Sequence, residues 1–331
     1  MQPAFQNELG TMLPEEMVFP HFAEREAAWL LHQQMTGPTR IADLRRSDRA
    51  PLVDRPGVRE VVAACGDGQI TPQRLAPLAD PLAAFRRERE LAVDGASRKA
   101  FDLAMAADWQ NYSISFAEWG KLGDWREIQL SRQGANLVLQ LNFPERYREA
   151  FLRHFEPEVR RQLEYYGHPV RFFGAITLAW ARLDFEPWSD ELLIEELQTD
   201  WLRSIKRWRK PLTSTGSMIS RKERRAFIDR TLADYTKVWA RVLMLAVLVF
   251  ARRELGANRV WLHQPHTGAR LKNIREVLPP RSLYTDLPRR FGFRPSDRAP
   301  EFLYRARHKA LANLRRSGRP LFWRLDFPEV A

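Results

Sequence analysis

The chain has 331 residues, which is enough for one large domain or two ordinary ones. Its hydrophobic content of 44% and charged content of 28% are globular values and exclude a fibrous or disordered chain. The single cysteine, Cys65, excludes an internal disulfide and a thiolate metal site, so we expect a protein of the reducing cytoplasm.

No targeting or membrane segment is apparent in the sequence. Residues 1–16 contain acids and lack the basic start and apolar core of a signal peptide. The longest apolar run, residues 242–251, is about half of the roughly 20 residues that a membrane span needs. We therefore expect no contact with a membrane.

The formal net charge of +12 is distributed unevenly. Residues 202–230 contain 10 Lys and Arg against two acids, and residues 281–324 contain 12 against three. Such stretches suit a polyanion, so they predict contact with nucleic acid or with a phosphorylated ligand. The alternative is that they form only solvated helix faces, which the excess of Arg over Lys favours. The oligomeric state is left open.

Residues 1–110 predict a helical accessory domain or cap. Apolar residues at helical spacing indicate helices at 19–34, 81–91 and 97–109. No spacing in this part is typical of catalysis, so it supports no prediction about chemistry.

Residues 111–331 alternate between strand and helix patterns. They predict a second domain of the α+β class, with a mixed or antiparallel sheet and helices packed over it. Gly134 lies in the loop of a predicted hairpin, and Gly256 ends a strongly apolar helix. The predicted strands lie at 125–131, 136–143, 170–184, 192–197, 259–262 and 321–327. The predicted helices lie at 144–165, from 199 or 200 to 208, and at 234–255, 269–277 and 301–316, with a loop at 211–220.

Polar residues are unusually dense at the end of the strand predicted at 192–197, which predicts a functional site there. Successive side chains of a strand point to opposite faces, so we expect Glu195 and Glu196 on opposite sides of the sheet. Only one of them then serves a given site. Either is a candidate catalytic general base. The alternative is an ion pair with Arg182 or Arg203, because a buried carboxylate needs a partner.

The residues that follow this strand are candidates for binding. Gln198 is predicted as a ligand contact, since an amide at a strand end has no evident structural task. Asp200 is predicted to cap the next helix. Trp201 is either core or the wall of a cofactor pocket. Arg203 and Lys206 are candidates to hold the phosphates of a cofactor.

His263 and His266 follow another predicted strand and lie three residues apart in a loop. Glu195 or Glu196 would complete a metal site with them if the two strands were parallel neighbours. No further ligand has a fixed spacing, so we expect no metal. A single histidine in acid–base chemistry or a plain loop role are the other readings.

The run Leu-Ile-Glu-Glu-Leu-Gln-Thr-Asp-Trp at 193–201 is similar to the signature (F/L)-I-E-E-I-Q-S-D-W of a domain in large polyvalent proteins of phages and conjugative elements. Trp180 stands where that family has the histidine of a strand ending in His-x-Arg. The similarity covers about residues 175–275 and includes Trp239, Trp261 and Thr267-Gly268. It implies a site without a reaction, and suggests a non-catalytic nucleic-acid-binding or accessory protein of a mobile-element type.

The order of elements after residue 234 resembles the C-terminal half of GNAT-type acyltransferases, which end in Y-x-x-x-G-F. Here Tyr284 lies eight residues before Gly292, and the glycine-rich pyrophosphate loop is absent after Leu197. The resemblance implies a GNAT-like sheet and an acyl-CoA-dependent N-acyltransferase, or a degenerate relative, with acetyl-CoA or another acyl-CoA as cofactor. Tyr284 would then be the catalytic general acid; otherwise it is a packed aromatic.

Overall fold

The computed structural model describes residues 16–86, 94–120, 126, 129–157, 167–170, 174–208, 220–272 and 282–328. Contacts divide the chain into two compact units. The sheet unit comprises residues 1–19, 111–285 and 295–323, and the helical unit comprises residues 20–110, 286–294 and 324–331. The segments 286–294 and 324–331, which the sequence assigns to the α+β domain, thus belong to the helical unit.

The helical unit is built on short helices around a core that contains Trp29, Leu30 and Val58, each fully buried. Arg290 donates to Glu26 at 2.6 Å and ties a C-terminal helix to the first one. The helix predicted at 19–34 begins only at Arg25, because residues 17–21 form a strand. The helices are α1 (Arg25–Gln34), α2 (Ile41–Arg46), α3 (Ala50–Val53), α4 (Pro56–Ala63), α5 (Pro72–Ala79), α6 (Pro81–Arg86) and α7 (Gly95–Ala106).

The sheet has eight strands and confirms the predicted α+β class. Its spatial order is β1-β4-β5-β6-β7-β8-β10-β9. The strands β2 (Thr39–Arg40) and β3 (Gln69–Ile70) form a separate pair. Those of the large sheet are β1 (Met17–His21), β4 (Gln110–Trp119), β5 (Asn136–Asn142), β6 (Thr177–Glu186), β7 (Glu191–Gln198), β8 (Arg259–His263), β9 (Arg294–Ser296) and β10 (Phe322–Asp326).

An apolar helix, Trp239–Arg253, covers one face of this sheet. Its residues 242–248 are all fully buried, and it packs against β5, β6 and β7. Among the described residues, no helix has both the length and the apolarity to cross a bilayer. The remaining helices are α8 (Glu145–His154), α9 (Asp200–Arg207), α10 (Arg221–Tyr235), α11 (Trp239–Arg253), α12 (Pro265–Leu271), α13 (Leu287–Arg290) and α14 (Glu301–Arg315), with a π-helix at Ser282–Asp286.

Several predicted elements differ from those observed. The strand that pairs with β5 is β4, with Trp119 opposite Asn136, and not the predicted strand 125–131, most of which lies outside the described residues. Its described residues 126 and 129–131 are not strand. The predicted helix 234–255 is instead the end of α10 followed by α11. The predicted loop 211–220 lies outside the described residues except for Ser220.

Two irregularities at the centre of the sheet place the polar side chains. β7 and β8 pair in parallel from Glu191–Arg259 to Ile194–Leu262, and β7 then continues for four residues without β8. In the antiparallel pairing with β6, Arg182 lies opposite Glu196 but Leu183 lies opposite Ile194. Glu195 is therefore the extra residue of a β-bulge.

Candidate active site at the end of the central strand

The bulge changes which face of the sheet each glutamate occupies. Glu196 pairs with Arg182, and Leu193 pairs with Asp184, two residues further along β6, so Glu196 and Leu193 share a face. Trp261 on β8 pairs with Leu193, and His263 lies two residues further along β8, so His263 is on the same face as Leu193. Glu195 bonds to His263 and therefore points to that face as well. Both glutamates therefore lie on the same side of the sheet. The prediction that they face opposite sides is wrong, because it assumed an unbroken alternation.

Glu195 is fully buried and saturated with hydrogen bonds. Ser131 donates its backbone N–H to Oε1 at 3.1 Å and its hydroxyl to Oε2 at 3.0 Å. His263 Nε2 lies 3.0 Å from the same Oε2. These contacts join residues more than 60 positions apart. Glu195 thus anchors the loop at Ser131 and the end of β8 to the bulge.

The Glu195 carboxylate is ionised and His263 is neutral. Burial opposes ionisation of Glu195, but the hydrogen bond from His263 and the charges of Lys272 and Arg182 lower its pKa to about 2. Burial lowers the pKa of His263 itself, so His263 acts on Glu195 through its hydrogen bond rather than through a full charge. Since an ionised carboxylate only accepts, Nε2 carries the hydrogen. Nδ1 has no partner among the described residues.

Ser131, His263 and Glu195 do not form a catalytic triad. A triad places the nucleophile and the acid on different imidazole nitrogens, so that the base can take a proton from one side while the acid orients it from the other. Here Ser131 Oγ and Glu195 Oε2 both meet Nε2, each at 3.0 Å. All three side chains are also closed to solvent. The arrangement is a structural network.

Long side chains surround the end of β7 (195–198) that extends beyond β8. Lys272, just after α12, donates Nζ to the backbone carbonyl of Glu195 at 2.7 Å, where β8 no longer pairs. Burial lowers the pKa of Lys272 although both glutamates oppose this. α12 approaches closely because residue 268 is glycine; a Cβ there would lie 3.2 Å from His263 Cβ. α14 contributes Arg307, which donates to the Ser131 carbonyl at 2.7 Å.

Glu196 is the glutamate that solvent reaches. Its side chain is 23% exposed, whereas that of Glu195 is 0% exposed. Arg182 Nη2 donates to Glu196 Oε2 at 2.6 Å. The Arg182 guanidinium is itself completely buried and lies 5.1 Å from the centroid of the Trp119 ring. Among the described residues, Arg182 Nε and Nη1 have no hydrogen-bond partner.

Tyr284 is brought to the same strand from the π-helix. The side chain is 4% exposed, and its hydroxyl lies beside the backbone of Leu197, next to Glu196. Burial, together with the charge of Glu196, raises the pKa of Tyr284 well above its ordinary value. The phenol therefore keeps its proton at neutral pH. The structure brings all three predicted catalytic residues, Glu195, Glu196 and Tyr284, to one stretch of β7.

A second polar cluster, here the Asp200 cluster, lies where β7 ends. The Asp200 carboxylate accepts from Trp180 Nε1 at 2.9 Å, from Gln198 Nε2 at 2.6 Å and from Arg203 at 2.6 Å. His168 Nδ1 lies 2.7 Å from Asp200 Oδ2. Burial opposes ionisation of Asp200, but the hydrogen bonds from His168 and Trp180 lower its pKa to about 2.

Thr199 rather than Asp200 caps α9. Its hydroxyl accepts from the Leu202 N–H at 3.4 Å and donates to the Leu178 carbonyl at 2.6 Å. The predicted cap is thus displaced by one residue, which leaves Asp200 free to bind the side chains of its cluster. Gln198, the predicted ligand contact, has its amide nitrogen committed to Asp200 and 2.8 Å from His168 Nδ1.

The other predicted cofactor contacts lie apart from the glutamates. Trp201 is a core residue and not the wall of a pocket, since its ring meets those of Phe143 at 5.0 Å and Phe151 at 5.6 Å. Arg203 is exposed and bonds to Asp200, and Lys206 is exposed on α9. These two cations remain available to a ligand outside the sheet.

The two histidines considered for a metal do not come together with a third ligand. His263 is buried against Glu195, while His266 lies in the first turn of α12. Among the described residues, no three His, Cys, Asp or Glu side chains come close enough to share a metal ion.

Three residues of the site carry no signal in the sequence. Ser131 and Lys272 contact Glu195 over 64 and 77 positions, and His168 reaches Asp200 over 32. Each belongs to a common residue type outside any motif. Arg182 had a signal, since it matches the arginine of the His-x-Arg strand and was considered as a partner of the glutamates.

No protein-family model, curated protein or solved structure matches the chain. The geometry of the site is therefore the basis on which a function is assigned.

Proposed function

We propose that the protein is an acyl-CoA-dependent N-acyltransferase with a GNAT-like sheet, and that it works in the cytoplasm. The observation that carries this proposal is the end of β7 that extends beyond its parallel neighbour β8. Its pairing with β8 stops at Ile194, and the two glutamates and Tyr284 collect along the next three residues. A strand end that extends beyond its parallel neighbour, beside acid–base groups, is where we place the meeting of the thioester and the amine.

The bulge distinguishes the roles of the two glutamates. The oxygens of Glu195 are taken up by Ser131 and His263, and the side chain is closed to solvent. Glu196 has one partner, Arg182, and a solvent-facing side. Glu196 is therefore the general base of the proposal, and Glu195 holds the bulge that presents it.

The proposed reaction uses Glu196 and Tyr284 in sequence. Glu196 accepts the proton of the amine as its nitrogen attacks the thioester carbonyl. A carbon–nitrogen bond forms and the carbon–sulfur bond breaks, which leaves a thiolate on CoA. Tyr284 keeps its proton at neutral pH and lies beside the peptide of Leu197, so its hydroxyl can hydrogen-bond that thiolate and relay a proton to it from solvent. Solvent then restores both groups.

The proposal assigns CoA phosphates to side chains. α9 begins with Asp200, whose negative charge at the first turn disfavours a phosphate at the backbone N–H groups. Arg203 and Lys206 lie on the exposed face of the same helix. We expect them to contribute much of the phosphate affinity.

Calorimetry with acetyl-CoA tests the proposal. We expect binding in the micromolar to millimolar range that weakens in the double variant Arg203→Ala/Lys206→Ala. The matched control is Arg221→Ala/Lys222→Ala on α10, which removes two equally exposed charges. Absence of binding by the wild-type protein at millimolar acetyl-CoA, CoA and longer acyl-CoAs would refute the assignment.

A second candidate function is nucleic-acid binding by an accessory protein, and one observation favours it. Arg305, Lys309 and Arg316 are exposed basic residues on α14 and at its C-terminal end. None has an acidic side chain within 4.0 Å among the described residues. A salt titration of DNA and RNA binding decides, since phosphate contacts give a steep loss of affinity with salt. No binding at low salt removes this candidate.

A further inference from the structure

We propose that the acyl acceptor is a small amino acid, with its carboxylate bound by Arg182 and its amine by Glu196. This inference deepens the proposed acyltransferase function and rests on it for the reaction, but the binding site itself stands on the geometry of Arg182. The juxtaposition that carries it is a buried guanidinium with unused donors beside a partly exposed carboxylate.

Arg182 is a charged group that the protein leaves incompletely paired. Its guanidinium has five N–H donors, and Nη2 bonds to Glu196 while Nε and Nη1 have no partner among the described residues. The side chain is 0% exposed, so water outside the protein does not solvate it. Buried donors without an acceptor are costly, and nearly all such groups in native proteins have a partner from the protein or from ordered water, so the exceptions call for a specific explanation.

The nearby carboxylates of the protein are already used. Asp184, next on the same face of β6, is held by Arg132 through Nε at 3.0 Å. Asp200 accepts from three donors and has His168 Nδ1 at 2.7 Å, and Glu195 is saturated by Ser131 and His263. No carboxylate among the described residues is left for the remaining donors of Arg182, which points to an acceptor supplied by a ligand. Nη2 uses one of its two N–H groups for Glu196, and the other forms an edge with Nε or Nη1 that matches the two oxygens of a carboxylate.

The neighbouring Glu196 specifies the other end of that ligand. It lies 2.6 Å from Arg182, so a molecule that meets both must carry opposite charges on neighbouring atoms. An α-amino acid has its ammonium and carboxylate on one carbon, and its zwitterion is complementary to an acid–guanidinium pair. The amine then lies at the exposed carboxylate, where the thioester arrives, and the carboxylate lies inward.

The walls around Arg182 restrict the size of the ligand. Trp119, Leu130, Val138 and Trp180 form a buried apolar cluster on this side of the sheet. The Trp119 ring lies against the guanidinium, which leaves only the edges of the cation for a ligand. Amino acids with small side chains fit these surroundings best.

Thermal shift and calorimetry with amino acids test the inference without acyl-CoA. The wild-type protein is titrated with each L-amino acid at millimolar concentration and with the corresponding amide, which keeps the amine but lacks the carboxylate. We expect small amino acids to bind and their amides to bind at least about 10-fold more weakly, since a charge-assisted contact is lost. Equal responses to acids and amides, or no response to either, would overturn the inference.

Variants locate the binding. Arg182→Gln should weaken amino-acid binding about 10- to 100-fold, and Arg182→Lys, which keeps the charge but not the fork, should weaken it less. Arg259→Gln is the matched control, because Arg259 pairs with Glu191 at the opposite end of β7. Unchanged affinity in Arg182→Gln would place the ligand elsewhere. If Arg182→Gln does not fold, Arg182→Lys and the acid–amide comparison still decide.

The outcome separates the two proposals. Acetyl-CoA binding without any amino-acid binding would keep the acyltransferase and refute the amino-acid acceptor. Amino-acid binding that depends on Arg182, without binding of any acyl-CoA, would keep the carboxylate site and refute the acyltransferase.

Discussion

Glu195 and Glu196 are neighbours in the chain and share one face of the sheet, but their surroundings differ in every respect. Glu195 is closed to solvent, accepts from Ser131 and His263, and has its pKa lowered to about 2. Glu196 is partly exposed and has one partner, Arg182, whose own donors are not all used. A β-bulge allows this division, because its extra residue can anchor the strand while the next residue stays available for chemistry.

The Asp200 cluster lies between these two extremes. Asp200 has a lowered pKa and four neighbouring polar side chains, like Glu195, but it is partly exposed, like Glu196. Comparing the three carboxylates thus separates the effect of burial from the effect of hydrogen bonding.

Glu195→Ala should cause the largest loss of stability. It leaves the Ser131 and His263 donors unpaired in the core and removes the negative charge beside Lys272 and Arg182. We expect the free energy of unfolding to fall by about 3–5 kcal/mol, as measured by urea denaturation. Glu196→Ala, the matched control, removes a partly exposed carboxylate but leaves the buried Arg182 guanidinium without its partner, so it should lose about 1–3 kcal/mol. Equal losses in the two variants would contradict the division between anchor and reactive group.

Acid should destabilise the protein through Glu195 and Asp200. Both have pKa values of about 2 when folded, against ordinary values of 4.5 and 3.8. Their contribution is therefore complete above about pH 5 and is lost as the pH falls from there toward 2. It amounts to about 3 kcal/mol for Glu195 and about 2 kcal/mol for Asp200. Unfolding free energies measured across this range should show a shallower slope in Asp200→Asn, and an unchanged slope would refute the account.

Asp200→Ala should cost about 2 kcal/mol, because it leaves the buried Trp180 Nε1–H without its acceptor. The matched control is Arg203→Ala, which removes an exposed partner of the same carboxylate and should change stability by less than about 0.5 kcal/mol. Thermal unfolding of the two variants gives the comparison. A larger loss in Arg203→Ala would mean that the exposed contact, and not the buried one, holds the cluster.

Glu196→Gln should change stability little and activity most. Gln keeps an acceptor for the buried Arg182, and the partial exposure of residue 196 limits the cost to about 1 kcal/mol. Loss of a general base should lower kcat about 10²- to 10⁴-fold in a thiol-release assay with acetyl-CoA and an amino acid. Glu195→Gln should show the reverse pattern, with lower stability and a smaller change in kcat measured on folded protein. Full activity in Glu196→Gln would remove Glu196 as the base.

Much of the region around β7 could be predicted from local patterns. The predicted strand 192–197 is observed as Glu191–Gln198, and the predicted helix start at 199 or 200 is observed with Thr199 as its cap. These features depend on neighbouring residues: an apolar run for the strand and a hydroxyl before a helical pattern for the cap. The hairpin partner of β5 was missed although residues 112–116 of β4 alternate strictly between apolar and Ser side chains, because the run at 125–131 lies nearer to the loop glycine and pairing is decided by packing.

By itself the sequence determined the α+β class, the position of the polar cluster at a strand end and the candidates from which the proposed base and acid, Glu196 and Tyr284, are drawn. Only the tertiary structure decided which glutamate is anchored and which is open, because a bulge depends on the register between two strands and not on the composition of either. It also decided the partners of Glu195, since Ser131, His263 and Lys272 meet it across more than 60 residues. The Glu-Glu cluster therefore marks the location of the proposed site, and the packing of distant segments gives each carboxylate its own surroundings.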